Sequence, residues 1–310
     1  MRFEVVHSHA YIFTAPAEPG QRSKGKCIGH RTQGDVLDID LVIPEWVRLA
    51  ERIEDFRTGE LSEGWIRIIN STVGPILSEK ADIPRLLVLH GAGSNSDVSK
   101  MQADLLELSK VAECSFMNGP FKASSFHKST NGFNSTPYRW IEGPESTEAL
   151  QRHLSSHPNL LHPALNHVIS YCQEHGPFDG VYAFSQACSI VTILSDSGVL
   201  VSLGAEKLLW NFVICAHGAG TIVQHFEPAV QLPITLPSFH LHGEADEYVD
   251  QSRAILKHFD RPHLVTYPSG HSIPAELLAQ PEWKERLCGP LLDFIKNPAH
   301  ADSDPREWGG

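Results

Sequence analysis

No run of 18 apolar residues occurs anywhere in the 310-residue chain, so it offers no candidate for a membrane-spanning helix. No secretion signal is expected either, because Glu4, His7 and His9 interrupt the apolar core that such a leader needs. The expected location is therefore cytoplasmic, with no membrane partner. Basic residues are in short supply: 25 Lys and Arg stand against 37 Asp and Glu, a formal net charge of −12. That is the wrong sign for displacing counterions from a phosphate backbone, so no nucleic-acid partner is expected. Cysteine is sparse and never in CxxC spacing, with residues at 27, 114, 172, 188, 215 and 288. A zinc knot and a redox dithiol are both excluded, and reduced thiols are the expectation. Internal repeats are missing too. His-Gly-Ala-Gly recurs at His90 and His217, but each copy punctuates a strand end.

What is present is a globular composition, 41% hydrophobic and 20% charged, long enough for one large domain or two modest ones. From Ile83 onward, apolar runs of strand length alternate with helix-length segments, the pattern of a parallel α/β sheet buried on both faces. Arg85 to His90 is the first such strand and stops at Gly91-Ala92-Gly93. A helix over Asp97 to Lys110 and a strand over Ala112 to Met117 complete one βαβ unit. Further strands are predicted at Phe178 to Phe184, Leu208 to Cys215, Ser238 to His242 and His263 to Tyr267. Helices are predicted near His162 to Glu174, Asp250 to His258 and Trp283 to Ile295.

Between residues of about 120 and 158 the chain is rich in Ser, Asn, Pro, Gly and aromatics without a steady period. It is too long for an ordinary connection and reads as a pocket-forming insertion. Phe121, Tyr138 and Trp140, with Phe126 and Phe133, are its candidates for lining an acyl channel, as ligand pockets are mostly apolar. Residues 1–80 form a separate extension serving as extra sheet, cap or subunit interface, so a homo-oligomer is one expectation. Within it Phe3 to Thr14, Val36 to Val42 and Trp65 to Ile69 read as strands, and Pro16 to Lys26 as a linker. Pro44 is placed to open a helix whose face carries Trp46, Ala50, Ile53 and Phe56. The α/β body spans 81–296, and 297–310 is a polar tail.

Three residues suit acyl-transfer chemistry. Ser185 sits between an apolar strand and a helix-compatible segment, the setting of a nucleophile elbow, although the flanking small residues are Ala183 and Ala187 rather than glycine. Asp246 lies just beyond one later strand and His271 just beyond the next, in the order Ser, Asp, His. In that division of labour Ser185 attacks an acyl carbon, His271 carries its proton to the leaving group, and Asp246 holds the imidazole. The amides of Gln186 and Ala92 are the candidate oxyanion donors. Cys188, three residues after Ser185, reads as a small buried residue rather than a second nucleophile. Eighteen histidines invite a metal reading around His217, His240 and His242, but no acidic or cysteine ligand lies at motif spacing, so neither metal nor cofactor is expected.

Leu86-Leu87-Val88-Leu89-His90-Gly91, then Gly176-Pro177-Phe178-Asp179-Gly180-Val181 running into Phe184-Ser185-Gln186, closely resemble the FSH family of eukaryotic serine hydrolases. So do His242-Gly243-Glu244-Ala245-Asp246 and Pro268-Ser269-Gly270-His271, and the resemblance covers about Ile83 to Ile295. It implies an α/β-hydrolase fold and hydrolysis of a small-molecule carboxylic ester or thioester, including release of polyketide chains. The family usually has Gly-Phe-Ser-Gln-Gly at the elbow and usually begins near the first strand. The alanines at 183 and 187 and the extension keep a second reading open, the same scaffold doing acyl transfer, cyclisation or condensation with His271 as base. A non-catalytic interaction module is the third.

Overall fold

The computed structural model describes residues 2–17, 25–70, 74–80, 83–127, 135–144, 146–205, 207–219, 222–226 and 230–298. Residues 1–83 and 84–310 form two compact units. Most of the predicted linker and nearly all of the predicted tail lie outside the described residues.

The first unit is built of strands. They are β1 (Arg2–Val5), β2 (His9–Phe13), β3 (Cys27–Thr32), β4 (Val36–Ile43), β5 (Trp46–Glu54), β6 (Leu61–Arg67), the two-residue β7 (Ile69–Asn70) and β8 (Gly74–Pro75), and β9 (Leu77–Lys80). Seven of them make an antiparallel sheet in the order β3-β2-β6-β5-β4-β1-β9. One face buries Val5, Ile12, Ile28, Val47 and Ile66 as the unit's own core. The helix expected after Pro44 does not form. Pro44 and Glu45 instead make the two-residue turn between β4 and β5, with Glu45 at φ 66°. β5 buries Val47, Leu49 and Ile53 on one face, as strand alternation requires, and Trp46 on the other, where its ring meets Phe13, so the 46-50-53 spacing that suggests a helix mixes residues of two strand faces. Ala50 and Phe56 are exposed.

In the second unit the elements run β10 (Arg85–Leu89), α1 (Ser96–Leu105), β11 (Glu113–Met117), β12 (Phe121–Lys122), β13 (Tyr138–Arg139), α2 (Thr147–Ser156), α3 (His162–His175) and β14 (Gly180–Phe184). They continue with α4 (Gln186–Leu194), α5 (Ser197–Ser202), β15 (Phe212–Ala216), β16 (Ser238–Gly243), α6 (Val249–Leu256), β17 (Pro262–Tyr267), α7 (Ala275–Leu278) and α8 (Pro281–Lys296). Six strands form a wholly parallel sheet, β11-β10-β14-β15-β16-β17. Every residue of β14, β15 and β16 is buried, as expected of strands covered on both faces. Helix α4 is buried along its whole length, which explains why Ile190, Val191, Ile193 and Leu194 give it no polar face. This is the α/β-hydrolase architecture. The chain order reverses at β10, between β11 and β14, and ligands collect at the carboxyl ends of strands at such a switch point.

The insertion has more order than its composition suggests. β12 and β13 pair with each other, and α2 is capped by the Ser146 side chain accepting from the Ala149 amide, with Leu150 and Leu154 buried one turn apart.

Three buried histidines lie within or just beyond the parallel strands. His90 follows β10, and because its Nε2 accepts the Gly119 N–H at 2.9 Å, its proton sits on Nδ1 and is donated to the Gly91 carbonyl at 2.6 Å. Burial pulls His90 down to about 4 against the opposing pull of that carbonyl. His240 is held at about 3 by burial and by its neighbours His242 and His263. His242 is held at about 4, chiefly by burial. A histidine lowered in the folded state is neutral there, so the unfolded chain takes up its proton first. Folding stability is therefore intact above about pH 6.5 and falls as pH drops toward each folded value, by up to about 1.4 kcal/mol per pH unit per residue. His240→Leu is expected to flatten the decline of the urea midpoint between pH 6.5 and 4; parallel profiles for variant and wild type would refute this. Packing makes a second test. A Cβ on Gly180 would land on the Phe212 ring, whereas Gly289 in α8 faces open space. Gly180→Ala is expected to destabilise by about 1 to 3 kcal/mol and Gly289→Ala to be neutral or stabilising by up to about 1 kcal/mol, both read by urea denaturation.

Candidate active site

Four neighbouring strands, β14 to β17, each end at a residue of one polar cluster. Ser185 follows β14 at φ 55° and ψ −121°, a left-handed conformation forced by the sharp passage into α4. Its amide donates to the Ala216 carbonyl at 2.9 Å and its carbonyl accepts from Cys188 at 3.0 Å, pinning the turn on both sides. Ala183 and Ala187 are fully buried beneath it, so the turn forms without the flanking glycines. The close approach that does demand glycine is at Gly91, where a Cβ would come within 2.9 Å of the Ser185 Cβ.

The Ser185 hydroxyl donates to His271 Nε2 at 2.8 Å. On the opposite side of the ring, Nδ1–H donates to Asp246, 2.9 Å from Oδ2 and 3.1 Å from Oδ1. Asp246 Oδ1 also accepts the Tyr248 amide at 2.8 Å. His271 packs against the rings of Tyr248, Phe184 and His127, with centroids 4.8, 5.2 and 5.8 Å away. Its orientation is thus fixed by contacts on several sides as well as by hydrogen bonds. An alcohol, an imidazole and a buried carboxylate linked in series are equipped to deprotonate the alcohol as it attacks and to return the proton to a leaving group.

Beyond the three residues expected from sequence, the structure brings in His217. It follows β15, is completely buried, and donates Nδ1–H to Asp246 Oδ2 at 2.7 Å. The Tyr267 hydroxyl at the end of β17 donates to its Nε2 at 2.6 Å. Asp246 therefore sits between two imidazoles. Burial alone would raise its pKa, but the hydrogen bonds from His217, His271 and the Tyr248 amide outweigh that and hold it below the ordinary carboxylate range. His217 itself is lowered, first by burial, so it remains neutral despite the carboxylate. Ligand-type atoms of His217, Asp246 and His271 lie within 4.8 Å of one another, close enough to hold a metal ion. The two N–H donors flanking one carboxylate account for that closeness. The sequence marks His217 by the His-Gly-Ala-Gly echo of His90 and by the metal reading with His240 and His242, and neither points to Asp246 as its partner.

Two segments frame the serine from above. In the turn after β10, Gly93 has φ 63° and exchanges backbone hydrogen bonds with Tyr138 and His127. Gln186 opens α4, so its amide has no intrahelical acceptor. Its side-chain oxygen accepts the Trp140 amide at 3.0 Å. Cys188 is fully buried with its thiol on the Ala183 carbonyl at 3.2 Å, and burial, reinforced by Cys215, pushes it well up, so it is an inert thiol.

A cavity of about 400 Å³ opens onto Ser185, His271, Ala92 and Gln186. Its apolar wall is Phe126, Leu150, Leu154 and Ile222, with Arg139 and Glu247 among its polar members. This corrects the expected lining. Phe121 and Tyr138, half-buried on the β12–β13 pair, do not border the cavity. Trp140 is fully buried and works as a strut, its Nε1 donating to the His90 carbonyl at 2.6 Å. Side-chain alternation on a two-stranded pair sends Arg139 toward the cavity while its neighbours face away. Phe133 lies outside the described residues.

The profile of the family described as serine hydrolase (FSH1) matches residues 80–281. A Xenopus tropicalis protein named esterase OVCA2 is 30% identical over 138 residues, covering 44% of this chain and 59% of that protein. The match to it therefore spans less than two thirds of its length. A Gibberella fujikuroi protein named esterase FUS5 is 24% identical over 198 residues, covering 62% of this chain and 80% of the relative. Among solved structures, a Bacillus cereus carboxylesterase aligns at 14% identity with a TM-score of 0.43, over 71% of this chain and 90% of that one. With the family profile matched over residues 80–281, most of the second unit, the chain belongs to the FSH1 family of serine hydrolases.

Proposed function

We propose that the protein hydrolyses a carboxylic ester or thioester of a largely apolar acyl group through an acyl-enzyme on Ser185. The observation that carries this reading is the unbroken hydrogen-bonded series Ser185–His271–Asp246 at the mouth of an apolar cavity. An acyl chain lies against Phe126, Leu150, Leu154 and Ile222, which puts its carbonyl carbon at Ser185. The serine oxygen attacks as His271 Nε2 takes its proton. The carbonyl oxygen becomes an oxyanion received by the amides of Gln186 and Ala92, each such donor being worth roughly 3 to 4 kcal/mol. His271 then protonates the departing alcohol or thiol. Water repeats the attack on the acyl-enzyme with His271 again as base, releasing the acid and restoring Ser185. Polyketide-type chain release is the thioester form of the same chemistry.

In this scheme Asp246 fixes the proton of His271 on Nδ1 and leaves Nε2 free to accept. Purified protein is expected to react with a fluorophosphonate probe and to release p-nitrophenol from medium-chain acyl esters. Ser185→Ala and His271→Ala should each lose about 10⁴-fold or more in kcat, with KM little changed, and Asp246→Asn should come close behind. Matched oxygen and thiol esters of one acyl chain then separate esterase from thioesterase preference. Wild-type protein that is folded yet neither labels nor turns over, or labelling that survives in Ser185→Ala, would reject the proposal.

A further inference from the structure

We propose that His217 is a positioning residue for this site: a neutral second imidazole that clamps Asp246 and shares its charge with His271. The inference rests on the reading of Ser185, His271 and Asp246 given above.

An ionised carboxylate only accepts, so the 2.7 Å contact requires a proton on His217 Nδ1. In neutral His217 the other ring nitrogen must then accept, and the Tyr267 hydroxyl 2.6 Å away is placed to donate to it. Tyr267 is buried and shifted upward by burial and by the Asp246 charge, so it keeps the proton it donates. One assignment satisfies these three side-chain contacts: Tyr267 O–H to His217 Nε2, His217 Nδ1–H to Asp246, and His271 Nδ1–H to Asp246. Tyr267 thus fixes the tautomer of His217 as Asp246 fixes that of His271.

Room for the second ring is built into the fold. Gly243, at the end of β16, lies where a Cβ would meet the Ser269 and Gly270 carbonyl oxygens at 2.4 and 2.7 Å and the His217 Cε1 at 2.9 Å. His217 itself takes φ 50°, a conformation that few residues other than glycine adopt, while its amide donates to the Leu241 carbonyl at 2.8 Å. Its ring also lies 5.4 Å from Phe184 and 5.6 Å from His271, centroid to centroid.

Two consequences follow for the reaction. The carboxylate is held by donors on both oxygens, so it cannot swing as His271 gains and loses its proton. Part of its charge is spent on His217, so the field at the His271 N–H is weaker than a carboxylate facing His271 alone would produce. The titratable groups around His217 are Asp246, Tyr267, His271 and His242, the last acted on by Arg253 of α6. Those around His271 add Tyr248 and His127, and Glu247 lies on the same cavity wall. All remain in place when only residue 217 is changed.

The test is the pH profile of kcat/KM for a p-nitrophenyl ester in wild type, His217→Leu, His217→Asn and Tyr267→Phe, with folding followed by circular dichroism. His217→Leu is expected to lower kcat about tenfold with KM nearly unchanged. Its acid limb should move to higher pH by about half a unit or more, because the whole carboxylate charge then faces His271. His217→Asn keeps an N–H donor near the Nδ1 position and should return the limb toward wild type. Tyr267→Phe releases the tautomer and should fall between the two; if His217→Leu does not fold, this variant and His217→Asn decide. Acid limbs that coincide with wild type, whether kcat is unchanged or uniformly reduced in every variant, would overturn the proposal and leave His217 a packing residue. Failure of the underlying catalytic reading looks different, since wild type itself would then show no Ser185-dependent turnover.

Discussion

The buried charge on Asp246 is the constraint around which the second unit is organised. A carboxylate removed from water is costly unless donors surround it, and here the donors come from three directions: His271 beyond β17, His217 beyond β15, and the amide of Tyr248 two residues along the chain. Each donor ties down a different strand end. The proposed nucleophile is reached only through this arrangement, since Ser185 bonds to the nitrogen of His271 that the carboxylate leaves unprotonated. The parallel register of β14 to β17 supplies the distances. Phe184 lies opposite Ala216 and Gly243 opposite Tyr267, so the loops leave the sheet at one rim.

The elbow shows how a departure from a motif is absorbed. Glycine flanks such a serine because the turn brings strand and helix close together, and Ala183 and Ala187 add a methyl group at each crowded position. Both are completely buried within the main core cluster. Tolerance is possible because the loop pressing on the serine from the other side has no side chain: Gly91 leaves the room that the alanines reduce. The same loop carries Ala92 and Gly93 to the cavity rim, and Trp140 and His90 brace it by hydrogen bonds from beneath. Crowding at the elbow and glycine in the facing turn are a single packing problem solved across two strands.

Much of this was legible in the chain. Parallel strands buried on both faces leave unbroken apolar runs such as Leu86 to Leu89 and Val213 to Ala216, and a residue placed just past each run falls at the rim. Three kinds of information were not legible. β5 buries Val47, Leu49 and Ile53 on one face and Trp46 on the other, and two buried faces read together imitate a helix spacing. The aromatic-rich insertion identified a pocket wall by composition, but composition does not say which way a ring turns. Trp140 spends its N–H on the His90 carbonyl and is sealed in the core, while Leu150 and Leu154, on a helix with a two-residue apolar stripe, face the cavity. The role of His217 was hidden for a third reason: its partner is 29 residues away, and only strand order makes β15 and β16 neighbours.

The two imidazoles on Asp246 differ in a way that assigns them different work. His271 borders the cavity and touches the hydroxyl, so its free nitrogen can meet a substrate's leaving group. His217 is sealed from solvent, with both nitrogens committed to protein atoms, and protonating it would place a second positive charge beside His271 in a site that cannot hydrate it. A buried imidazole kept neutral can donate to the carboxylate without cancelling its charge, which a lysine or arginine in its place would do. The pair thus divides along the line of water access: the ring that meets the cavity is the one that can exchange protons with a substrate, and the ring that does not holds the carboxylate still while that exchange occurs.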